Sequence, residues 1–303
     1  MKVAVKGFGS IGRRHVLNLL TLGIKPYVVT KYPDYKMKGV FWVSLRDLKA
    51  NKDIRYAIIS SCTARHLEDL KKLTTVGIRN FLIEKPMERD LKRASEILRF
   101  SAEKRLKIYV AYNMRYLKSI HMITDFIRDN ISSIRLVEVV AGQYLPEWRP
   151  SRDYRDSYSA CRSKGGGVDL DLSHEIDYVL HLFGKRFKKK IVYRDKISDL
   201  KINSPDIFKL FLVYKKFVVD MTLDYIRRPK ERCLKVFCEN GKTLYYDFVK
   251  GLLKINGKTI LNNDRMSDTY IRMLEEFLGI KKPKRKILCS AGESLNVLRI
   301  LEI

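Results

Sequence analysis

Three clusters of residues in this chain have the types and spacing that chemistry requires. The first is an apolar run that stops on charge, Phe81-Leu82-Ile83-Glu84-Lys85-Pro86. It reads as a buried strand ending in a carboxylate, an ammonium and a turn-forming proline. A lysine at the carboxyl end of a parallel strand stands where open α/β sheets meet their ligands. The second is Gly7-Phe8-Gly9-Ser10-Ile11-Gly12, which follows the strand-like Lys2–Lys6 and opens a helical pattern in Val16, Leu19 and Leu20. A GxGxxG at a strand-to-helix turn is the dinucleotide fingerprint: glycines let the backbone approach a pyrophosphate, and the helix N-terminus supplies free N–H donors. The third is Gly165-Gly166-Gly167 followed by Asp171 and His174, three residues apart on a predicted helix. A carboxylate on the same face as a histidine orients the ring and suits it to proton transfer.

Further residues gather around these three. The second strand, Pro26–Thr30, ends in Thr30-Lys31 where an aspartate or glutamate would grip a ribose 2′-hydroxyl. A hydroxyl and a lysine, with Arg13 and Arg14 nearby, suit a 2′-phosphate better, which favours NADP over NAD. Ser60 ends the strand from Tyr56, Ser61 follows it, and His66 falls in the first turn of the next helix, as a cofactor-side or structural residue. The stretch 145–155 carries Trp148, Arg149 and Arg155, aromatic and cationic groups that suit a sugar ring bearing phosphate, nucleotide or carboxylate. A structural or subunit-contact loop is the alternative for this stretch.

Elements that would position these groups follow from periodicity. Strand alternates with helix over about the first 110 residues, the pattern of a doubly wound parallel sheet. A helix is predicted from Met87 to Lys104. After Tyr116 the texture changes to longer strands of alternating polarity, such as Phe217–Leu223, which suit an antiparallel sheet with one covered face. Helices at Asp268–Gly279 and Gly292–Leu301 close the chain. The expected division is a Rossmann domain over 1–116 and an α+β domain over 117–303 with a large, mostly antiparallel open sheet.

Composition narrows the function class. The 303 residues are 46% hydrophobic, normal for a globular chain, with no apolar run long enough to span a bilayer and no leader-like N-terminus. Five scattered cysteines show neither metal-ligand spacing nor a disulfide framework, which fits a cytoplasmic protein without metal. The formal charge of +27 is spread along the chain, and its densest cluster, 281–286, reads as a solvated loop. No nucleic-acid motif accompanies that charge, so an anionic cofactor or substrate accounts for it more simply than DNA or RNA.

Taken together, and over essentially the full length, the chain resembles the glucose–fructose oxidoreductase / inositol dehydrogenase / MocA family of NAD(P)-dependent oxidoreductases. The matching marks are the Gly7–Gly12 loop, Ser60 to His66, Glu84-Lys85-Pro86, Asn113 and Arg115 after the sixth strand, and Gly165–Gly167 leading to Asp171 and His174. The resemblance implies hydride transfer between a nicotinamide and a hydroxyl or keto carbon of a sugar, sugar derivative or polyol. It implies Lys85 on the substrate hydroxyl, His174 as proton acceptor, Asp171 in support, Arg115 on substrate, and Glu84 and Asn113 near the nicotinamide. It further implies a homo-oligomer formed through the second sheet. The Asp–His spacing is one residue shorter than in better-known members, and Asp171-x-Ser173-His174-Glu175 resembles a subgroup associated with surface-polysaccharide sugars. A non-catalytic NADP-binding sensor of the same fold is the alternative reading.

Overall fold

In a computed structural model the described residues are all but 52, 284, 285 and 303. By internal contacts the chain forms two units, one of Met1–Asn113 with Ser267–Arg299, the other of Met114–Met266 with Ile300–Ile303.

The first unit is built on a seven-stranded sheet in the order β15-β6-β5-β4-β1-β2-β3. Its strands are β1 (Val3–Lys6), β2 (Tyr27–Val29), β3 (Phe41–Trp42), β4 (Tyr56–Ile59), β5 (Asn80–Ile83), β6 (Lys107–Val110) and β15 (Cys289–Ser290). All pairings are parallel except β15 with β6. Because crossover helices cover both faces of such a sheet, its strands are continuous apolar runs rather than alternating ones. Val3, Ala4 and Val5 in β1, and Phe81, Leu82 and Ile83 in β5, are accordingly all fully buried. Helices α1 (Ser10–Thr21), α2 (Leu45–Ala50), α3 (His66–Thr75) and α4 (Leu91–Glu103) make the crossovers.

Two expectations shift here. The helix after β5 begins at Leu91 rather than Met87, because the Asp90 carboxylate caps it by accepting from the Arg93 N–H at 2.8 Å. The C-terminal helix α8 (Met266–Phe277) and most of α9 (Ala291–Leu301) belong with the first sheet, whereas the expected division at 116 left them in the second domain. The reason is β15, which pairs Cys289 with Val110 and so extends the first sheet after the chain returns. Of the basic cluster 281–286, residues 284 and 285 lie outside the described residues.

The second unit carries an eight-stranded sheet in the order β14-β13-β12-β11-β7-β10-β9-β8. These are β7 (Ile134–Gly142), β8 (Lys189–Asp195), β9 (Ile207–Val213), β10 (Val218–Asp224), β11 (Glu231–Cys238), β12 (Thr243–Asp247), β13 (Leu252–Ile255) and β14 (Lys258–Leu261). The sheet is antiparallel apart from the β7–β10 pair. Here the pleat does alternate: Phe208, Leu210 and Leu212 of β9 and Val219, Met221 and Leu223 of β10 are buried, one face of the ladder. The other face carries charge pairs such as Lys235 with Glu138 at 3.4 Å. The unit also holds α5 (Lys118–Asn130), α6 (Val168–Asp171) and α7 (Ser173–Phe183). Tyr178 of α7 stacks on Phe248 beyond β12, ring centres 5.2 Å apart.

The single helix expected around Asp171 and His174 is two helices. The backbone breaks at Leu172 (φ −99°, ψ 27°), so Asp171 ends α6 and His174 stands in the first turn of α7.

Candidate active site

In the first unit the carboxyl ends of β1, β4 and β5 lie side by side, and the chain order reverses between β1 and β4. That reversal is the topological switch point where open α/β sheets bind ligands. The Ser60 N–H donates to the Lys6 carbonyl and the Glu84 N–H to the Ile59 carbonyl, each at 2.9 Å, which fixes the three strand ends in register.

The glycine loop is built for close approach. Gly7 holds φ +97°, and a Cβ there would sit 2.8 Å from the Ser60 carbonyl oxygen. A Cβ on Gly12 would meet the Gly7 carbonyl at 2.4 Å and Ser60 Oγ at 2.8 Å. Gly9 is different: nothing lies within 4 Å of its ideal Cβ. Packing therefore requires glycine at 7 and 12, while the space beside Gly9 is open. That space adjoins the start of α1, whose first turn has no acidic residue and whose Gly9 cap offers no side-chain acceptor. The helix-end N–H groups and dipole are left for an anion. Ser61 Oγ is buried close by in sequence with no hydrogen-bond partner. A dinucleotide pyrophosphate fits this cradle, with Gly7, Phe8, Gly9, Ser10, Ile11, Gly12, Ser60 and Ser61 as its residues.

Around the cradle the remaining first-unit candidates have definite places. Thr30 Oγ1 accepts from the Tyr32 N–H at 3.2 Å, and Lys31 is exposed. Arg13 is paired with Asp34 at 3.0 Å, so an acid does stand near the loop although β2 does not end in one. Asn113 is buried and donates from Nδ2 to Thr269 Oγ1 of α8 at 2.6 Å. His66 is 1% exposed, with Nδ1 3.1 Å from the Met87 carbonyl oxygen and Nε2 3.1 Å from that of Ser61. Both ring nitrogens face backbone, so the imidazole clasps the β4 and β5 ends together rather than presenting an edge to a cofactor.

Lys85 is half-buried at the end of β5. Its neighbour Glu84 receives two contacts: His15 Nε2 donates to Oε1 at 2.6 Å, and the Lys85 N–H donates to Oε2 at 3.2 Å. His15 is fully buried in α1, one turn beyond the glycine loop, and its ring meets Tyr270 of α8 edge-on at 5.7 Å. Sequence reasoning passed over His15, Thr269 and Tyr270. The i, i+3 step from Gly12 to His15 placed that histidine on the loop-facing turn, which was the available signal for the first of them.

In the second unit the centre is Asp171. The Tyr225 hydroxyl donates to its Oδ2 at 2.5 Å, and the Tyr158 hydroxyl is hydrogen-bonded to the same side chain. The Asp171 charge, ahead of burial, pushes the Tyr158 hydroxyl pKa well above its usual value. For Tyr225 burial comes first and the Asp171 charge second, with the same direction. Tyr225 in turn meets Trp148 edge-on at 5.2 Å, and Trp148 Nε1 donates to the Gln143 carbonyl at 3.0 Å. His174 is 9% exposed, three residues beyond Asp171 across the Leu172 break.

A cavity of about 400 Å³ opens here, lined by Trp148, Arg149, Arg152, Tyr154 and Tyr158. The expected trio of Trp148, Arg149 and Arg155 is divided. The first two line this cavity, but Arg155 folds back on Asp153 and lines a separate one. Arg115, expected on substrate, is buried in a bidentate pair with Asp177 of α7, Nε to Oδ2 at 2.9 Å and Nη2 to Oδ1 at 2.7 Å. Tyr158 and Tyr225 were missed, although Tyr158 lies just beyond the aromatic and arginine-rich stretch that pointed to this region. Asp169 is a structural hub, held by Arg162 at 2.8 Å and Arg194 at 3.0 Å. No group of metal-ligating side chains occurs among the described residues. No helix among them is long and apolar enough to cross a membrane.

The glycine cradle and the two-sheet architecture define a fold class, a Rossmann-like dinucleotide-binding unit joined to a second unit with a large, mostly antiparallel sheet. Residues 1–112 match the model of the GFO_IDH_MocA family, described as an oxidoreductase family with an NAD-binding Rossmann fold. A search of the curated proteins gave no match. Solved structures are similar over the whole chain. A crystal structure described as that of a putative oxidoreductase from Magnetospirillum magnetotacticum MS-1 aligns at TM-score 0.77 and 20% identity, covering 99% of this chain and 98% of that one. The UDP-N-acetylglucosamine 3-dehydrogenase GnnA from Acidithiobacillus ferrooxidans aligns at TM-score 0.77 and 18% identity, covering 99% and 94%. The WlbA dehydrogenase from Bordetella pertussis, solved with NADH and UDP-GlcNAcA, aligns at TM-score 0.78 and 15% identity, again covering 99% and 94%. These likenesses extend the shared architecture to the second sheet.

Proposed function

We propose that this protein is an NAD(P)-dependent oxidoreductase acting on a hydroxyl or keto carbon of a sugar, sugar derivative or polyol, with a nucleotide sugar as the leading candidate. The observation that carries the reading is the open space beside Gly9, at an uncapped helix start, on the same sheet edge as Lys85. Two of the similar structures support the substrate class, GnnA as a UDP-N-acetylglucosamine dehydrogenase and WlbA through its UDP-GlcNAcA complex.

Bound nicotinamide would supply the hydride acceptor or donor. In oxidation the substrate carbinol loses its proton to His174, while the Lys85 ammonium steadies the charge developing on oxygen. Asp171 supports His174 or the substrate, and its tyrosine partners hold its carboxylate in one orientation. Trp148 and Arg149 offer an apolar ring face and a cation to the sugar and its anionic group. Thr30 and Lys31, in place of a terminal acid on β2, favour NADP over NAD, with Asp34 already engaged by Arg13. A cytoplasmic homo-oligomer assembled through the second sheet completes the proposal.

Analysis of co-purified cofactor, followed by a screen of sugars and nucleotide sugars for cofactor-dependent absorbance change, tests it. Binding of NADPH or NADH with turnover of one sugar class is the expected result. Failure to bind either cofactor would remove the reading. Tight cofactor binding without turnover of any sugar would favour the sensor alternative.

A further inference from the structure

The chain carries an excess of 27 positive charges that the cofactor cradle does not absorb. Part of it converges on a second cavity of the second unit, about 560 Å³ in volume. Arg155, Lys164, Lys196 and Lys201 line it, against Asp199 as the one acid among the described lining residues. Two of the cations have internal acceptors: Arg155 is held by Asp153, and Lys196 Nζ donates to the Ser198 carbonyl at 2.6 Å. No described carboxylate pairs with Lys164 or Lys201.

These cations stand on an ordered scaffold. Asp206 is fully buried and accepts from the N–H groups of Ile197 at 2.8 Å and Ser198 at 3.0 Å. Ser198 Oγ donates to the same carboxylate at 2.5 Å. The Lys201 N–H donates to the Tyr154 hydroxyl at 3.2 Å, and Asn203 Oδ1 accepts from the Arg162 N–H at 2.9 Å. Lys164 precedes Gly165 (φ +88°), and a Cβ on the following Gly166 would lie 2.1 Å from the Tyr158 carbonyl oxygen. Like charges fixed around a concavity repel one another unless an anion joins them. A solvated basic face needs neither the concavity nor the fixed backbone.

We propose that this cavity binds the diphosphate of a nucleotide, with Lys164 and Lys201 as its principal cations and Arg155 and Lys196 on its rim. The volume is in the range of small-molecule sites and well beyond one phosphate. Tyr154 lines the neighbouring Trp148 cavity while its hydroxyl is tied to Lys201 of this one, so the two cavities share a wall. The diphosphate could belong to the sugar-nucleotide substrate or to a free nucleotide, and the experiment separates these sources.

Cys161 is a built-in reporter. It lines the cavity and is half-exposed, and the hydrogen bond from Ser163, with the Lys164 N–H and charge, lowers its thiol pKa. Alkylation by iodoacetamide, followed at the Cys161 peptide by mass spectrometry, reads occupancy, with exposed Cys62 as internal control. Saturating UDP or inorganic pyrophosphate is expected to slow Cys161 alkylation at least about tenfold at matched ionic strength, leaving Cys62 unchanged. Lys164→Ala/Lys201→Ala, two exposed positions, is expected to weaken UDP binding about ten- to a hundredfold and to abolish the protection. A raised KM for UDP-N-acetylglucosamine in that variant assigns the diphosphate to the substrate. An unchanged KM with UDP protection retained in the native chain assigns it to a free nucleotide. No protection by either probe, or equal protection in the double variant, overturns the proposal. NADH binding measured alongside separates this outcome from failure of the oxidoreductase reading, which loss of NADH binding alone would contradict.

Discussion

His15 Nε2 donates to Glu84 Oε1 across 2.6 Å, joining the helix that follows the glycine loop to the strand end that presents Lys85. Because Glu84 Oε2 also accepts the Lys85 N–H, the histidine sets the backbone from which the lysine side chain projects. His15 is therefore a positioning residue. His15→Ala should lower kcat about ten- to a hundredfold, the cost of an unsatisfied buried carboxylate, with little change in KM for the sugar. His15→Asn, which restores a donor, should recover part of it. A fall in thermal stability with kcat intact would assign the pair to folding alone.

Gly9 and Gly12 of the loop should separate in their effects. Gly12→Ala places a methyl 2.4 Å from the Gly7 carbonyl oxygen, so it should destabilise the unit by about 1–3 kcal/mol or more, read in denaturant unfolding. Gly9→Ala meets no atom of the protein and has an ordinary φ of −73°, so stability should be nearly unchanged. It should nonetheless weaken NADPH and NADH binding, because its methyl enters the space reserved for phosphate. Equal cofactor affinity in Gly9→Ala would show that the pyrophosphate does not lie there.

The Arg115–Asp177 pair joins the segment after β6 to α7, each side chain about 3% exposed or less. Truncating either partner strands a buried charge. Arg115→Ala and Asp177→Ala should each cost about 3–5 kcal/mol, and the double variant less than their sum. Calorimetry of the three variants checks it. A purely kinetic effect of Arg115→Ala, with unchanged melting temperature, would return the arginine to the substrate.

Alkaline pH should expose the buried tyrosines. Burial and the Asp171 charge raise the Tyr225 pKa, and burial and Glu175 raise that of Tyr178. Below about pH 10 both folded and unfolded chains keep these protons, so the contribution to stability is fully present. As pH rises past about 10 the unfolded tyrosines ionise while the folded ones hold their protons, and stability falls. Tyr225→Phe should flatten that slope in melting temperature measured from pH 8 to 11. An unchanged slope would indicate that Tyr225 ionises freely in the folded chain.

The first sheet was legible because its physics is local: unbroken apolar runs such as Phe81–Ile83, punctuated by Gly7, Gly9 and Gly12. What escaped was long-range. β15 is two residues with no pattern of its own, made a strand by pairing with Val110, so the return of α8 to the first unit was invisible. The β13–β14 hairpin was passed over as well, although its Asn256-Gly257 turn, with φ +50° and +76°, is the pair that matches strand twist. In the candidate site, Lys85 and the cradle were readable from strand-end position. The division of Trp148 from Arg155, and the tyrosines on Asp171, depended on how a long loop closes on itself.

Lys85 is the residue on which the oxidoreductase reading turns. The decisive measurement is turnover by Lys85→Ala with the sugar identified in the screen, together with its affinity for NADPH. The reading predicts kcat reduced about a hundred- to ten-thousandfold with cofactor affinity retained. Turnover that survives the substitution intact would contradict it.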